Sequence, residues 1–226
     1  ALCERGVYIL QRLPRSERNY RIRADLQHTL GSIYVRKKEH DKSISNFQIS
    51  IESRQAIGDF YNMGRTYNNL AAVYWDQNDY QRAVQYIHKS LEMCNKVGYT
   101  YGTAMCYNNL GAIHYTLGEY SRAVEYYERS LEIRQQIGDL RGIAEIYNNL
   151  GEVHQSLGNF QDARDYLQEA IELLKEMGEK KVLNDAYKLL AEVELASGQL
   201  SKALDYCQQS LDLAREIGDH DYEGRV

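Results

Sequence analysis

Tyr147 to Gly151 reads "YNNLG", Tyr107 to Gly111 reads the same, and Tyr67 to Ala71 reads "YNNLA". The stretches stand 40 residues apart. That interval decides the architecture, because self-similarity at a fixed period outranks any local reading. Set in rows of 40, the chain aligns from Arg21 to His220 without an insertion or deletion. One column of small residues reads Gly31, Ala71, Gly111, Gly151, Ala191, and a second reads Ser43, Ala83, Ala123, Ala163, Ala203; both are crossing points for helices. Within a repeat, Ile143, Tyr147, Leu150, Val153, His154 and Leu157 recur at spacings of three and four, the helical template. Gly158 and Asn159 interrupt this helix A, and a second periodic run from Ala163 to Leu174, helix B, ends at Gly178. No such pair buries its apolar stripe alone, so successive pairs must stack. The expectation is an all-α solenoid of stacked antiparallel helix pairs.

The repeats fall at 21–60, 61–100, 101–140, 141–180 and 181–220, within one solenoid domain. Residues 1–20 read as the helix B of a preceding repeat and its loop, with Pro14 outside every repeat, and 221–226 as the start of a further repeat, with Gly224 and Arg225 in the places of Gly64 and Arg65. The chain therefore reads as a piece of a longer array. A terminal stacking face is apolar, here with Leu204, Cys207, Leu211 and Leu213, which predicts end-to-end self-association of the fragment.

No run of 18 apolar residues is present, so neither a transmembrane helix nor a membrane partner is expected. The cysteines, Cys3, Cys94, Cys106 and Cys207, share no CxxC spacing and occupy unrelated columns; they read as small buried hydrophobes in a reducing, cytoplasmic setting. A net charge of −5 argues against nucleic acid as a partner, although residues 1–42 carry ten Lys/Arg against five Asp/Glu. The cluster Arg12, Arg15, Arg18, Arg21 and Arg23 reads as a solvated linker and helix start rather than a phosphate-binding surface.

Helix A with Tyr–x–Asn–Leu–Gly, then Leu–Gly–(Asn/Glu)–aromatic, then Ala and Tyr in helix B, resembles the tetratricopeptide repeat, lengthened from 34 residues to 40. The period and the pattern "IGDxxGxAxxYNNLGxxxxxLG" are similar to the repeats of Pins-type polarity adaptors and of bacterial STAND-type signalling proteins. The resemblance implies a right-handed superhelix whose A helices line a concave groove that holds a protein or peptide segment, without a cofactor. The alternative that it implies is a regulatory sensor region of a larger signalling ATPase, kinase, cyclase or transcription regulator. The first and fifth repeats depart from it: His28 and Thr29, then Lys188 and Leu189, replace the paired asparagines.

On a helical wheel Asn148 and Asn149 fall opposite Tyr147, Leu150 and His154, which places the asparagines outside the core. Each costs about 0.65 kcal/mol of helix propensity against Ala, roughly 4 kcal/mol for the six. The second of each pair, Asn69, Asn109 and Asn149, reads as a bond within the array; the first, Asn68, Asn108 and Asn148, as the better binding candidate. A primary amide offers an acceptor and two donors, which suits the backbone of an extended peptide. Such bonds net about 1 kcal/mol each, whereas a micromolar complex needs about 8, so anchors must supply the rest. Trp75 and Tyr115, seven residues after Asn68 and Asn108, are the anchor candidates, the alternative for Trp75 being packing on a helix B. Charge grades along the expected groove, from Arg36 and Arg65 to Glu145, Glu152, Asp185 and Glu192, which would orient a ligand.

His114 and His154 share a column with Glu194, but the column faces the A–B interface and reads as core rather than metal site. No HExxH, GxSxG, GxxxxGK[ST] or GxGxxG is present. The expectation is a non-enzyme with no metal and no cofactor.

Overall fold

The computed structural model describes residues 16–218. Ten α-helices account for the described residues: α1 (Glu17–Arg36), α2 (His40–Ala56), α3 (Phe60–Asp76), α4 (Tyr80–Val97), α5 (Thr100–Thr116), α6 (Tyr120–Ile137), α7 (Leu140–Ser156), α8 (Phe160–Met177), α9 (Lys180–Ala196) and α10 (Leu200–Ile217). The odd-numbered helices are the A helices and the even-numbered ones the B helices. The residues assigned to a preceding repeat, 1–15 of that segment, and to a further one, 221–226, lie outside the described residues, as do Cys3, Pro14, Arg12 and Arg15.

Local chemistry sets the helix ends. Asp59, Asp79 and Asp139 accept the backbone N–H three residues on, at 3.3, 3.0 and 3.1 Å, opening α3, α4 and α7. Gly98, Gly138, Gly178 and Gly218 close α4, α6, α8 and α10 in the left-handed conformation, with φ between 66° and 75°, where a side chain would be strained. The two- and three-residue connections leave no room for anything but a reversal, so consecutive helices form hairpins.

The chain divides into two compact units, Ala1–Ile113 and His114–Val226. In the first, α1 packs on α2, α2 on α3, α3 on α4, and α3 also touches α1. Phe47 is fully buried, and a Cβ on Gly31 would stand 2.6 Å from its ring, so this crossing requires glycine. Helix B hydroxyls tie the pairs: Ser43 donates to the Gly31 carbonyl at 3.0 Å, Ser50 to that of Ala24 at 2.8 Å, and Ser90 to that of Gly64 at 2.8 Å. In the second, Leu167, Ala170 and Leu174 of α8 pack with Ala186, Leu190 and Val193 of α9, all fully buried. Leu213 packs on that core from α10, contrary to the expectation that it stands uncovered, whereas Leu204 is 62% exposed. In both units an A helix lies beside the A helix of the next repeat, α3 by α1 and α9 by α7. That adjacency brings residues 41 apart into contact.

Candidate functional site

The asparagine pairs sit in the middle of the A helices. In the first unit the second member of a pair bonds the first member of the pair before it: Asn109 Nδ2 donates to Asn68 Oδ1 at 2.8 Å. His28, which holds the Asn68 place in α1, does the same work for Asn69, whose Nδ2 lies 3.3 Å from His28 Nε2. The other ring nitrogen, Nδ1, lies 3.1 Å from Thr66 Oγ1, whose own proton is given to the Asn62 carbonyl. The bonds are all satisfied when Nδ1 carries the hydrogen and Nε2 accepts. Burial, then the charges of Arg54 and Arg65, hold the His28 pKa below its ordinary value, in keeping with this neutral ring.

In the second unit the pattern breaks. Asn148 is only 7% exposed, and its Oδ1 is buried with no hydrogen-bond partner. The expectation that the asparagines stand outside the core therefore fails for Asn148. The physical reason is the neighbouring A helix, which a wheel drawn for one helix omits. The residue 41 positions on, which in α5 is the donor Asn109, is here Leu189, and a leucine side chain has no hydrogen to give. A buried carbonyl left this way costs roughly 1–3 kcal/mol. Asn68, Asn69, Asn108, Asn109 and Asn149 are half-buried.

The remaining candidates fall into different settings. Arg65, Asn68 and Asn69 share a cavity of about 390 Å³ between α3, α4 and α5, together with Ser90, Cys94, Tyr99 and Cys106. Arg36 is exposed and stands apart from that cavity. Trp75 is half-buried, with its ring edge-on to Tyr80 at 6.3 Å, so the helix B that follows it supports one side. In the second unit Tyr115 is half-buried; its hydroxyl lies 3.2 Å from Ser156 Oγ and it bonds Glu152. Burial raises the Glu152 pKa, Glu192 pushes it the same way, and the Tyr115 bond opposes them. Glu145 is half-buried and pairs with Arg141 at 3.4 Å. His114 stacks on Tyr126 at 5.1 Å with Nδ1 2.8 Å from Glu119 Oε2, while Glu194, 2% exposed, takes a two-pronged bond from Arg164 at 2.9 and 3.1 Å. Both are structural contacts. Among the described residues no cluster of three His, Cys, Asp or Glu side chains could hold a metal ion, and no helix is long and apolar enough to cross a membrane.

The residue-by-residue reading of the sequence missed the cysteine pair. Cys94 and Cys106 occupy different columns yet line the same cavity, both buried, and Cys207 is half-buried rather than buried. A signal was present: Cys94 stands in the column of Arg54 and Arg134, and Tyr99 in that of Asp59 and Asp139.

A tetratricopeptide repeat model matches residues 22–96, 62–136 and 102–176, and a second tetratricopeptide repeat model matches 148–216. No curated protein sequence matches the chain. Among solved structures, BtubC from P. vanneervenii is similar at 20% identity and a TM-score of 0.79, over 97% of this chain and 94% of that one. The Rap conjugation gene regulator of plasmid pLS20, solved with the Phr* peptide, is similar at 21% identity and a TM-score of 0.71, over 91% of this chain and 57% of that one. The STAND protein PH0952 from Pyrococcus horikoshii, which has a tetratricopeptide repeat sensor, is similar at 21% identity and a TM-score of 0.76, over 91% of this chain and 32% of that one. At these identities the likeness is one of fold.

Proposed function

Because the chain belongs to the tetratricopeptide repeat family, we propose that it is a non-catalytic protein-interaction scaffold whose A helices hold an extended or partly helical segment of a partner. The observation that carries this reading is the buried, unpartnered Oδ1 of Asn148. A turn of the Asn148 side chain presents this oxygen to a backbone N–H of a bound segment, which supplies the missing donor, and the cost of leaving the carbonyl unmet in the free protein becomes part of the driving force for binding. The pLS20 relative, solved with a peptide, supports the choice of ligand class. Asn68, Asn69, Asn108, Asn109 and Asn149 contribute further amides, Trp75 and Tyr115 act as aromatic anchors, and Arg36, Arg65, Glu145 and Glu152 set the direction of the segment.

Peptides selected on the full chain from a random-sequence library test this. Methylating the backbone nitrogens of a selected peptide one at a time should reveal one position that costs tenfold or more in affinity in the parent and little in Asn148→Ala. Methyl scans that are flat, or identical in the two proteins, would remove Asn148 from the site.

A second reading, a sensor region inside a larger signalling protein, is favoured by the likeness to PH0952, of which this chain covers 32%. Capture experiments with the chain separate the two: a scaffold retains a distinct partner, a sensor chiefly the other domains of its own protein. The proposed self-association has its seat on α9 and α10, where Leu195, Leu200 and Leu204 are each at least 61% exposed beside a groove of about 610 Å³. Leu204→Glu should abolish it in sedimentation experiments; unchanged association would place the contact elsewhere.

A further inference from the structure

The repeats differ in chemistry at the junction of a helix B with the following helix A. After α2, Arg54 is 3% exposed and its guanidinium gives Nη1 to Asp59 at 2.8 Å, Nη2 to Asp25 at 3.0 Å and Nε to Ser50 Oγ at 3.3 Å. After α6, Arg134 repeats the arrangement with Asp139 at 2.6 Å and Ser130 at 3.4 Å. After α4 the serine is kept as Ser90, but the arginine is Cys94 and the aspartate is Tyr99. A side chain of one heavy atom beyond Cβ replaces one of six, and the cavity of about 390 Å³ stands there.

Two thiols line that cavity. Cys94 reaches it from the last turn of α4, where a Cβ on Gly102 would stand 2.7 Å from Cys94 Sγ, so glycine at 102 makes the space the sulfur occupies. Cys106 reaches it from α5, 3.3 Å from Ser90 Oγ. The Ser90 proton is committed to the Gly64 carbonyl, so Cys106 is the donor in that contact. Cys94 also interacts with Cys106 and with Ser90. Tyr61 and Tyr101, 41% and 43% exposed, and the exposed Arg65 line the same cavity, so it has a solvent-facing rim above a buried sulfur floor.

We propose that Cys94 and Cys106 form a redox-active dithiol, in which Cys94 attacks a small disulfide entering the cavity and Cys106 closes an intramolecular bond. In the first step the Cys94 thiolate displaces one thiolate from a low-molecular-weight disulfide and forms a mixed disulfide; the leaving thiolate takes up the proton that Cys94 released. In the second, Cys106 sulfur attacks Cys94 sulfur, its proton passes to the departing small thiolate, and the protein is oxidised by two electrons while the small disulfide becomes two thiols. The roles follow from access: Cys94 keeps 5% of its surface exposed and Cys106 1%. When Cys94 ionises, the Cys106 S–H turns from Ser90 Oγ to the Cys94 thiolate, which draws the Cys94 pKa down to about 7, and the same contact with burial raises that of Cys106. Cys94 is the nucleophile and Cys106 the resolving thiol.

The experiment exposes the reduced, folded full chain to excess glutathione disulfide and follows it by mass spectrometry. Trypsin cuts after Lys96, between the two cysteines, so peptide mapping identifies a Cys94–Cys106 link and separates it from Cys3 and Cys207. The expected result is loss of two hydrogens and a Cys94–Cys106 cross-linked peptide, at a rate that reaches half its plateau near pH 7. Cys106→Ser should stop at a stable glutathione adduct on Cys94, and Cys94→Ser should slow the reaction at the cavity at least tenfold. A parent chain that accumulates the Cys94 adduct without closing, that is modified first at Cys106, or that reacts there only once unfolded overturns the proposal. The parent result needs no substitution, so a variant that fails to fold leaves the test intact.

Discussion

Asn68 in α3 and Asn148 in α7 hold the same place in the equivalent pentapeptides YNNLA and YNNLG, yet the Oδ1 of one is bonded and that of the other is not. The difference is made 41 residues downstream, by Asn109 in one case and Leu189 in the other. A repeat motif thus does not carry its function within itself. Where the next A helix supplies a donor, the asparagine is a rivet between repeats; where it supplies leucine, the same asparagine is left with an unmet acceptor. The first unit is closed in this respect and the second is open.

The comparison can be broken by copying the open state into the closed unit. Asn109→Leu removes the donor from Asn68 Oδ1, and urea unfolding should show a loss of about 1–2 kcal/mol, the cost of an unmet part-buried acceptor. An unchanged midpoint would mean that solvent satisfies Asn68 without help. His28 sharpens the comparison from the other side, because it serves as the Asn68 equivalent only while neutral. Its folded pKa lies below the ordinary value of 6.5, so the unfolded chain takes up the proton first. The contribution is complete above that ordinary value and is lost as pH falls through the lower folded one. His28→Asn, which places there the asparagine of the three middle repeats, should flatten the pH dependence of stability in this window; parallel pH curves for parent and variant would dissociate His28 from the ladder. The smallest effect is expected for Asn68→Ala, where a lost bond of about 1 kcal/mol is offset by about 0.65 kcal/mol of helix propensity. A net loss of a few tenths of a kcal/mol should remain, best resolved by hydrogen exchange in α3 and α5; a gain would show the bond to be idle.

The fold was legible because period and punctuation agree: B helices begin at His40, Tyr80, Tyr120, Phe160 and Leu200, and left-handed glycines close four of them. The site was legible only in part. The asparagine columns stand out in a row alignment, but the burial of Asn148 depends on contact with a different helix, which a single-helix wheel cannot represent. Reading position 189 against 109, rather than position 148 against 108, would have revealed it. Cys94 and Cys106 stayed separate for a related reason: column comparison links residues that are equivalent, while these two are adjacent without being equivalent. The deletion of the Arg54-type guanidinium at Cys94 was visible in the column, and its consequence, a cavity, required the packing.

The most direct test of the account is Asn148→Ala, measured for stability and for affinity toward one selected peptide in the same preparation. Removing an unmet buried carbonyl and improving helix propensity should raise stability by about 1–2 kcal/mol, while affinity falls tenfold or more. A variant that is less stable, or that binds as the parent does, would contradict the claim that Asn148 keeps its acceptor for a partner.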